Sequence, residues 1–163
     1  MRRLTHMNSD LPGQGLLDTC ILLLRRWIDP AELPDEMAIS AITLAEVPAG
    51  PHEVRGNDEQ DVHDEHAERV RRLEILQRAE SERDPVSFDA EAARIYDRVT
   101  AAVIAVGRKP HRRTADLVIA ATAIAGALPV FTASPADFAG PDALLRIIAV
   151  IRPDVPHEQP RSH

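Results

Sequence analysis

Short apolar runs alternating with helical stretches constrain this chain more than any other feature. Residues 15–18, 37–40, 129–132 and 147–150 each read as a brief buried strand, and 85–88 as a shorter strand or extended link. Between them lie stretches with helical periodicity at 19–27, around Glu46, and at 66–81, 90–106 and 114–127. Apolar strands that alternate with helices imply a parallel sheet covered on both faces. The expected fold class is therefore α/β, in three α/β/α layers, with a short-stranded, mostly parallel sheet. In such sheets ligand sites gather at the carboxyl ends of the strands.

The chain has 163 residues, enough for one domain with a true core and too few for two ordinary ones. One Trp, one Tyr and three Phe make the core aliphatic and argue against aromatic base-stacking platforms. Residues 1–13 read as a disordered leader, 14–152 as the domain, and the proline-rich 153–163 as a disordered tail. The single Cys20 rules out an intrachain disulfide and suits a reducing compartment. No run approaches the ~18 apolar residues of a membrane span, and no apolar stretch follows the charged N-terminus as a signal peptide requires. A cytoplasmic protein with no membrane association is expected.

The helices carry further expectations. In 19–27, Arg25 and Arg26 should face water. The helix containing Glu46 should be disturbed by Pro48 and stop near Gly50. Residues 51–66 should form a loop and the first turn of the next helix. In 90–106, Ala93, Ile95, Tyr96, Val99, Val103 and Ile104 should point inward, with Gly107 as the stop, and Gly126 should end the following helix.

Four carboxylates fall where these segments should meet. Asp18 closes the first apolar run, Glu46 and Asp116 lie near helix starts, and Asp137 follows the strand at 129–132. Acidic residues at the edges of apolar elements are costly unless something pairs with them. Several carboxylates together are most simply satisfied by a hard divalent cation. Each also has a local alternative. Asp18 fits a helix N-cap, and Thr43 and Glu46 have the spacing of a capping box. Thr114 can cap the helix in which Asp116 favours the positive end of the dipole. Those alternatives do not explain why the acids share one rim of the sheet.

The ordered set Leu16-Leu17-Asp18-Thr19, Ser40-x-x-Thr43-x-x-Glu46, Thr114-Ala115-Asp116-x-x-Ile119-Ala120-Ala121 and Val130-Phe131-Thr132 before Asp137-Phe138 resembles the PIN-domain ribonucleases. More narrowly, it is similar to the VapC toxins of bacterial VapBC toxin–antitoxin pairs, over residues 14–152. The resemblance implies a PIN-like α/β/α domain, a metal-dependent endoribonuclease, an RNA substrate, a blocking antitoxin and a homodimer. It makes Asp18 and Asp116 the principal Mg2+ or Mn2+ ligands, Glu46 the third acid and Asp137 the fourth. The chain departs from the pattern at Ala133 and Ser134, where such toxins often carry Arg and Asn or Asp, and at Pro48, two residues beyond Glu46.

Oxygen-only ligands favour Mg2+ or Mn2+ over zinc, and a bound cation acidifies water for attack on phosphorus. A net charge of −7 argues against a surface that coats nucleic acid broadly, though not against a local grip. The run Arg108-Lys109-Pro110-His111-Arg112-Arg113 suits RNA phosphates or an antitoxin, and equally a solvated loop. His63-Asp64-Glu65-His66 lacks metalloprotease spacing and reads as a solvated helix start. Cys20 reads as a small buried hydrophobe, and Thr19 and Thr132 as hydrogen-bonding partners for the carboxylates or as capping and packing residues. A second reading is a catalytically impaired module that binds RNA or an antitoxin. A phospho-acceptor domain ranks lower, because the last strand–loop region has no lysine partner.

Overall fold

The strands β1 (Gln14–Leu17), β2 (Glu36–Ile39), β3 (Val130–Thr132) and β4 (Ile147–Ala149) form one sheet in the order β2-β1-β3-β4. The computed structural model describes residues 10–49 and 59–155, with side chains from Glu65 onward in the second stretch. Every strand pair is parallel, as the alternation of strands and helices requires. The expected extended link at 85–88 contributes a single parallel bridge, Val86 to Ser40. Around the sheet lie the helices α1 (Thr19–Leu24), α2 (Ala41–Ala49), α3 (Glu59–Glu82), α4 (Ala90–Ala105) and α5 (Thr114–Ala125).

Successive strand residues point to opposite faces, and the core divides accordingly. Leu16, Val130 and Ile147 pack with Val99 and Val103 of α4 and Leu117, Ile119 and Ala120 of α5. Leu17, Ile39, Phe131 and Ile148 pack on the other face with Ile21 and Leu22 of α1, Val47 of α2, and Leu76 and Ala79 of α3. The result is the expected three layers. No helix among the described residues is long and apolar enough to cross a membrane.

Strand order sets where a ligand can enter. From β1 the chain moves outward to β2, and from β3 outward to β4 on the other side. The connections therefore diverge above the carboxyl ends of β1 and β3, the crevice where parallel sheets bind ligands. Register locks that junction. Leu17 pairs with Phe131, and the Asp18 amide donates to the Phe131 carbonyl at 2.9 Å.

Several local expectations are corrected. α3 starts at Glu59 rather than near His66, because the polar residues 59–65 carry no apolar stripe to reveal a helix. In α4 the inward residue is Ala92, while Ala93 is exposed and Ile104 is 59% exposed. Alanine fits either face, so its pattern gives no direction. The helix at 19–27 divides into α1 and a 3-10 turn at Arg25–Trp27. Arg26 is exposed and lies over the Trp27 ring at 4.4 Å, but Arg25 is half-buried and pairs with Glu82 at 2.8 Å. Gly107 takes the left-handed conformation after α4, with φ of 76°. After α5 that role passes from Gly126 to Ala127, with φ of 51°. There the Leu128 amide returns to the Ala123 carbonyl and the Ala127 amide to Ile124, closing a Schellman turn on an alanine.

Residues 10–13, expected within the disordered leader, are tied to the sheet. The Glu36 amide donates to the Gly13 carbonyl at 2.8 Å, and Arg146 donates to the Asp10 carbonyl at 3.2 Å. The remainder of the leader (1–9), most of the 51–66 loop (51–58) and most of the tail (156–163) lie outside the described residues.

One glycine of β1 is required by packing. A Cβ on Gly15 would stand 2.3 Å from Cε2 of Phe131, whose ring is fully buried and has nowhere to retreat. Gly15→Ala is expected to cost about 1–3 kcal/mol, read as a lower urea midpoint. Gly13→Ala, with nothing within 4 Å of the added methyl, should leave the midpoint nearly unchanged.

Candidate active site

Asp18 follows β1 directly and is 7% exposed, a costly place for a carboxylate. Two strong donors offset that cost. Oδ1 accepts the Thr19 amide at 2.8 Å, so Asp18 is indeed the N-cap of α1. Oδ2 accepts the Thr132 hydroxyl at 2.8 Å, across the gap between β1 and β3. Thr132 in turn accepts the Ser134 amide at 3.0 Å, which leaves its proton directed at Asp18. The Cys20 thiol is a third donor to Oδ2, at 3.3 Å. Burial first, and then the Asp18 charge, push that thiol up to about 11. Cys20 is thus a neutral, half-buried donor and no nucleophile.

Glu46 lies within α2, and the Thr19 hydroxyl donates to its Oε2. The same hydroxyl lies 3.3 Å from that of the buried Thr43. The capping-box alternative fails, because α2 begins at Ala41 and leaves Thr43 and Glu46 inside the helix. Pro48 falls in the last turn, and α2 continues through it to Ala49.

Asp116 occupies the first turn of α5 with its side chain 26% exposed. Thr114 does not cap this helix; its hydroxyl turns back towards the His111 carbonyl at 3.5 Å. The Asp116 carboxyl is pushed up to about 7, first by burial and then by the charges of Asp18, Asp137 and Glu46. Arg113 opposes the rise. The four acids singled out in the sequence therefore lie within electrostatic reach of one another. Among the described residues no three acidic, thiol or imidazole groups converge closely enough to enclose an ion. Mutual repulsion between carboxylates favours such a separation.

Asp137 sits on the 3-10 turn Pro135–Phe138 and is more exposed than Asp18 or Asp116, at 42%. Its Oδ1 accepts from Arg113 Nη1 at 2.6 Å, and that nitrogen lies 3.8 Å from Oδ2 of Asp116. Arg108 donates to the Ala136 carbonyl on the same turn. Two arginines of the basic run are thus turned onto this turn, while Lys109, His111 and Arg112 are exposed. Sequence reasoning did not single out Arg113 or the Cys20 donor. The Arg113–Asp116 spacing, one helical turn, was the available signal. Of the His63–His66 cluster, the His63 and Asp64 side chains lie outside the described residues.

In donor chemistry the group fits a hard divalent cation. All four acids offer oxygen alone, and their repulsion is what a cation would relieve. The neighbouring hydroxyls of Thr19 and Thr132 orient two of them.

Known proteins are similar to this chain over most of its length. The PIN domain profile matches residues 16–140. The chain is 36% identical over 147 residues to "Ribonuclease VapC5" of Mycobacterium tuberculosis, covering 87% of this chain and 99% of that protein. Among solved structures it is similar to VapBC-5 of Mycobacterium tuberculosis, a member of the VapBC family of toxin–antitoxin systems. That match has a TM-score of 0.63 and 30% identity, over 85% of this chain and 100% of the other. VapBC2 of Rickettsia felis shares the fold at a TM-score of 0.58 and 20% identity, over 84% and 98%.

The raised Asp116 carboxyl has a consequence for stability. Its ordinary value is 3.8 and its folded value about 7. Below 3.8 both states hold the proton. Between those values the folded protein keeps a proton the unfolded chain has released, so stability falls as pH rises; above about 7 the penalty is constant. Without divalent cations, Asp116→Asn should raise the melting temperature at pH 8 and lose that advantage towards pH 4. An equal shift at both pH values would contradict the assignment.

Proposed function

The chain belongs to the PIN-domain family, in its VapC branch, and on that premise we propose that it is a divalent-metal-dependent endoribonuclease, the toxin of a toxin–antitoxin pair. The observation that carries this reading is the buried Asp18 at the β1–β3 crevice, with Asp116 pushed up to about 7 first by burial and then by the charges of the other three acids. We take Asp18 and Asp116 as the principal ligands of Mg2+ or Mn2+, with Glu46 and Asp137 as further acids of the site. In that role the cation would polarise the scissile phosphodiester and acidify an attacking water.

The residues of the chain supply the rest. The Thr19 amide on Oδ1, and the Thr132 hydroxyl and Cys20 thiol on Oδ2, hold the Asp18 carboxylate in one orientation. Thr19 does the same for Glu46. Exposed Lys109 and Arg112, in the run leading to α5, offer positive charge for RNA phosphates in a chain of net charge −7. Pro48 gives no reason to read the domain as impaired, since Glu46 keeps its Thr19 partner.

A cognate antitoxin would silence the enzyme in the cytoplasm, by analogy with the VapBC relatives. Exposed Ile104 and Val106 at the end of α4 favour association into a homodimer.

Purified protein should cleave RNA with Mg2+ or Mn2+ and lose that activity in excess EDTA. Asp116→Asn should reduce cleavage to background while the protein stays folded by circular dichroism. Cleavage at the wild-type rate by folded Asp116→Asn would sink the assignment. Expression without an antitoxin should arrest growth, and the same substitution should relieve the arrest.

A further inference from the structure

The Arg113 guanidinium reaches two acids of the cluster with a single nitrogen. Nη1 donates to Asp137 Oδ1 at 2.6 Å and to the Asp137 carbonyl at 3.3 Å, and stands 3.8 Å from Asp116 Oδ2. Asp116 belongs to α5 and Asp137 to the turn after β3, so this positive charge joins two separate elements. We propose that Arg113 is a counter-charge of the acidic cluster, holding Asp116 and Asp137 in place of a divalent cation and moving off them when one binds. The inference rests on the reading of the cluster as a cation site.

Three observations carry it. An arginine stays protonated at any working pH, so its charge leaves the site only if the side chain moves. Two cations competing for the same carboxylates repel each other, so a bound divalent ion favours that movement. The Arg113 side chain reaches the surface, 30% exposed, which gives it room to leave the acids. The Asp137 turn is moored separately by Arg108 on the Ala136 carbonyl, by the Asp137 amide on the Ser134 carbonyl at 2.9 Å, and by the fully buried Phe138. Asp137 therefore remains beside Asp116 after Arg113 departs. In this role Arg113 is a positioning residue that tunes cation affinity.

Calorimetric titration of Mn2+ into the full-length, metal-free protein tests the proposal. Arg113→Gln, which keeps a hydrogen-bond donor and removes the charge, should bind Mn2+ about tenfold more tightly, the scale on which one neighbouring charge moves a carboxylate's affinity. Arg113→Lys, which keeps the charge, should stay close to wild type. In the wild-type protein the Arg113 Nε–H resonance should shift when Mg2+ is added, a readout that does not depend on any variant folding. Unchanged or weaker Mn2+ binding by folded Arg113→Gln would mean that Arg113 is a structural clamp and would overturn the proposal. An Nε–H resonance unmoved at saturating Mg2+ would overturn it as well. If neither wild type nor Arg113→Gln binds Mn2+, and Asp116→Asn still cleaves RNA, the cation-site reading itself fails and the proposal falls with it. Binding without the tightening rejects the role of Arg113 alone.

Discussion

A carboxylate held almost out of water at the junction of β1 and β3 is the constraint on which the site depends. Asp18 is tolerable there because the Thr19 amide and the Thr132 hydroxyl each satisfy one of its oxygens. Both donors exist only if β1 and β3 are neighbours in the observed register, with Leu17 beside Phe131. A shift of one residue would turn Leu16, Leu17, Val130 and Phe131 to the wrong faces and remove Thr132 from Asp18. Core packing and site geometry thus enforce the same register. The close fit of Gly15 against the Phe131 ring belongs to that fit as well.

From this anchor the other acids arrive by separate routes. Thr19, next in the chain, reaches across to Glu46 on α2. The apolar faces of α5 fix Asp116 at the near end of that helix. Asp137 comes from the turn after β3, held by two arginines. Among the described residues Arg113 meets two of these carboxylates, and burial with the charges of the other acids pushes the Asp116 carboxyl up to about 7.

Much of this was legible in the sequence because burial leaves a periodic trace. All four strands and their parallel sense followed from short apolar runs alternating with helices, and Asp18 from the run it closes. Thr19 and Thr132 stood out as either carboxylate partners or capping and packing residues, and the structure gives both a carboxylate to hold. Where burial leaves no trace, reading failed. Polar residues 59–65 gave no sign that α3 already runs there, and Ala93 was indistinguishable from Ala92 in α4. The Thr43–Glu46 spacing suggested a cap because a helix start cannot be located from two residues; α2 begins earlier at Ala41. Arg113 was hidden inside a basic run, since direction of a long side chain is a tertiary property. The left-handed Ala127 was masked by the adjacent Gly126, the residue that normally takes that conformation.

Crystals soaked in Mn2+ and measured at the manganese absorption edge would test the cation site most directly. An anomalous peak in direct contact with the carboxylates of Asp18 and Asp116, and lost in Asp116→Asn, is the expected result. A peak bound elsewhere on the protein, or none in the crevice at saturating Mn2+, would contradict the reading of these acids as the metal centre.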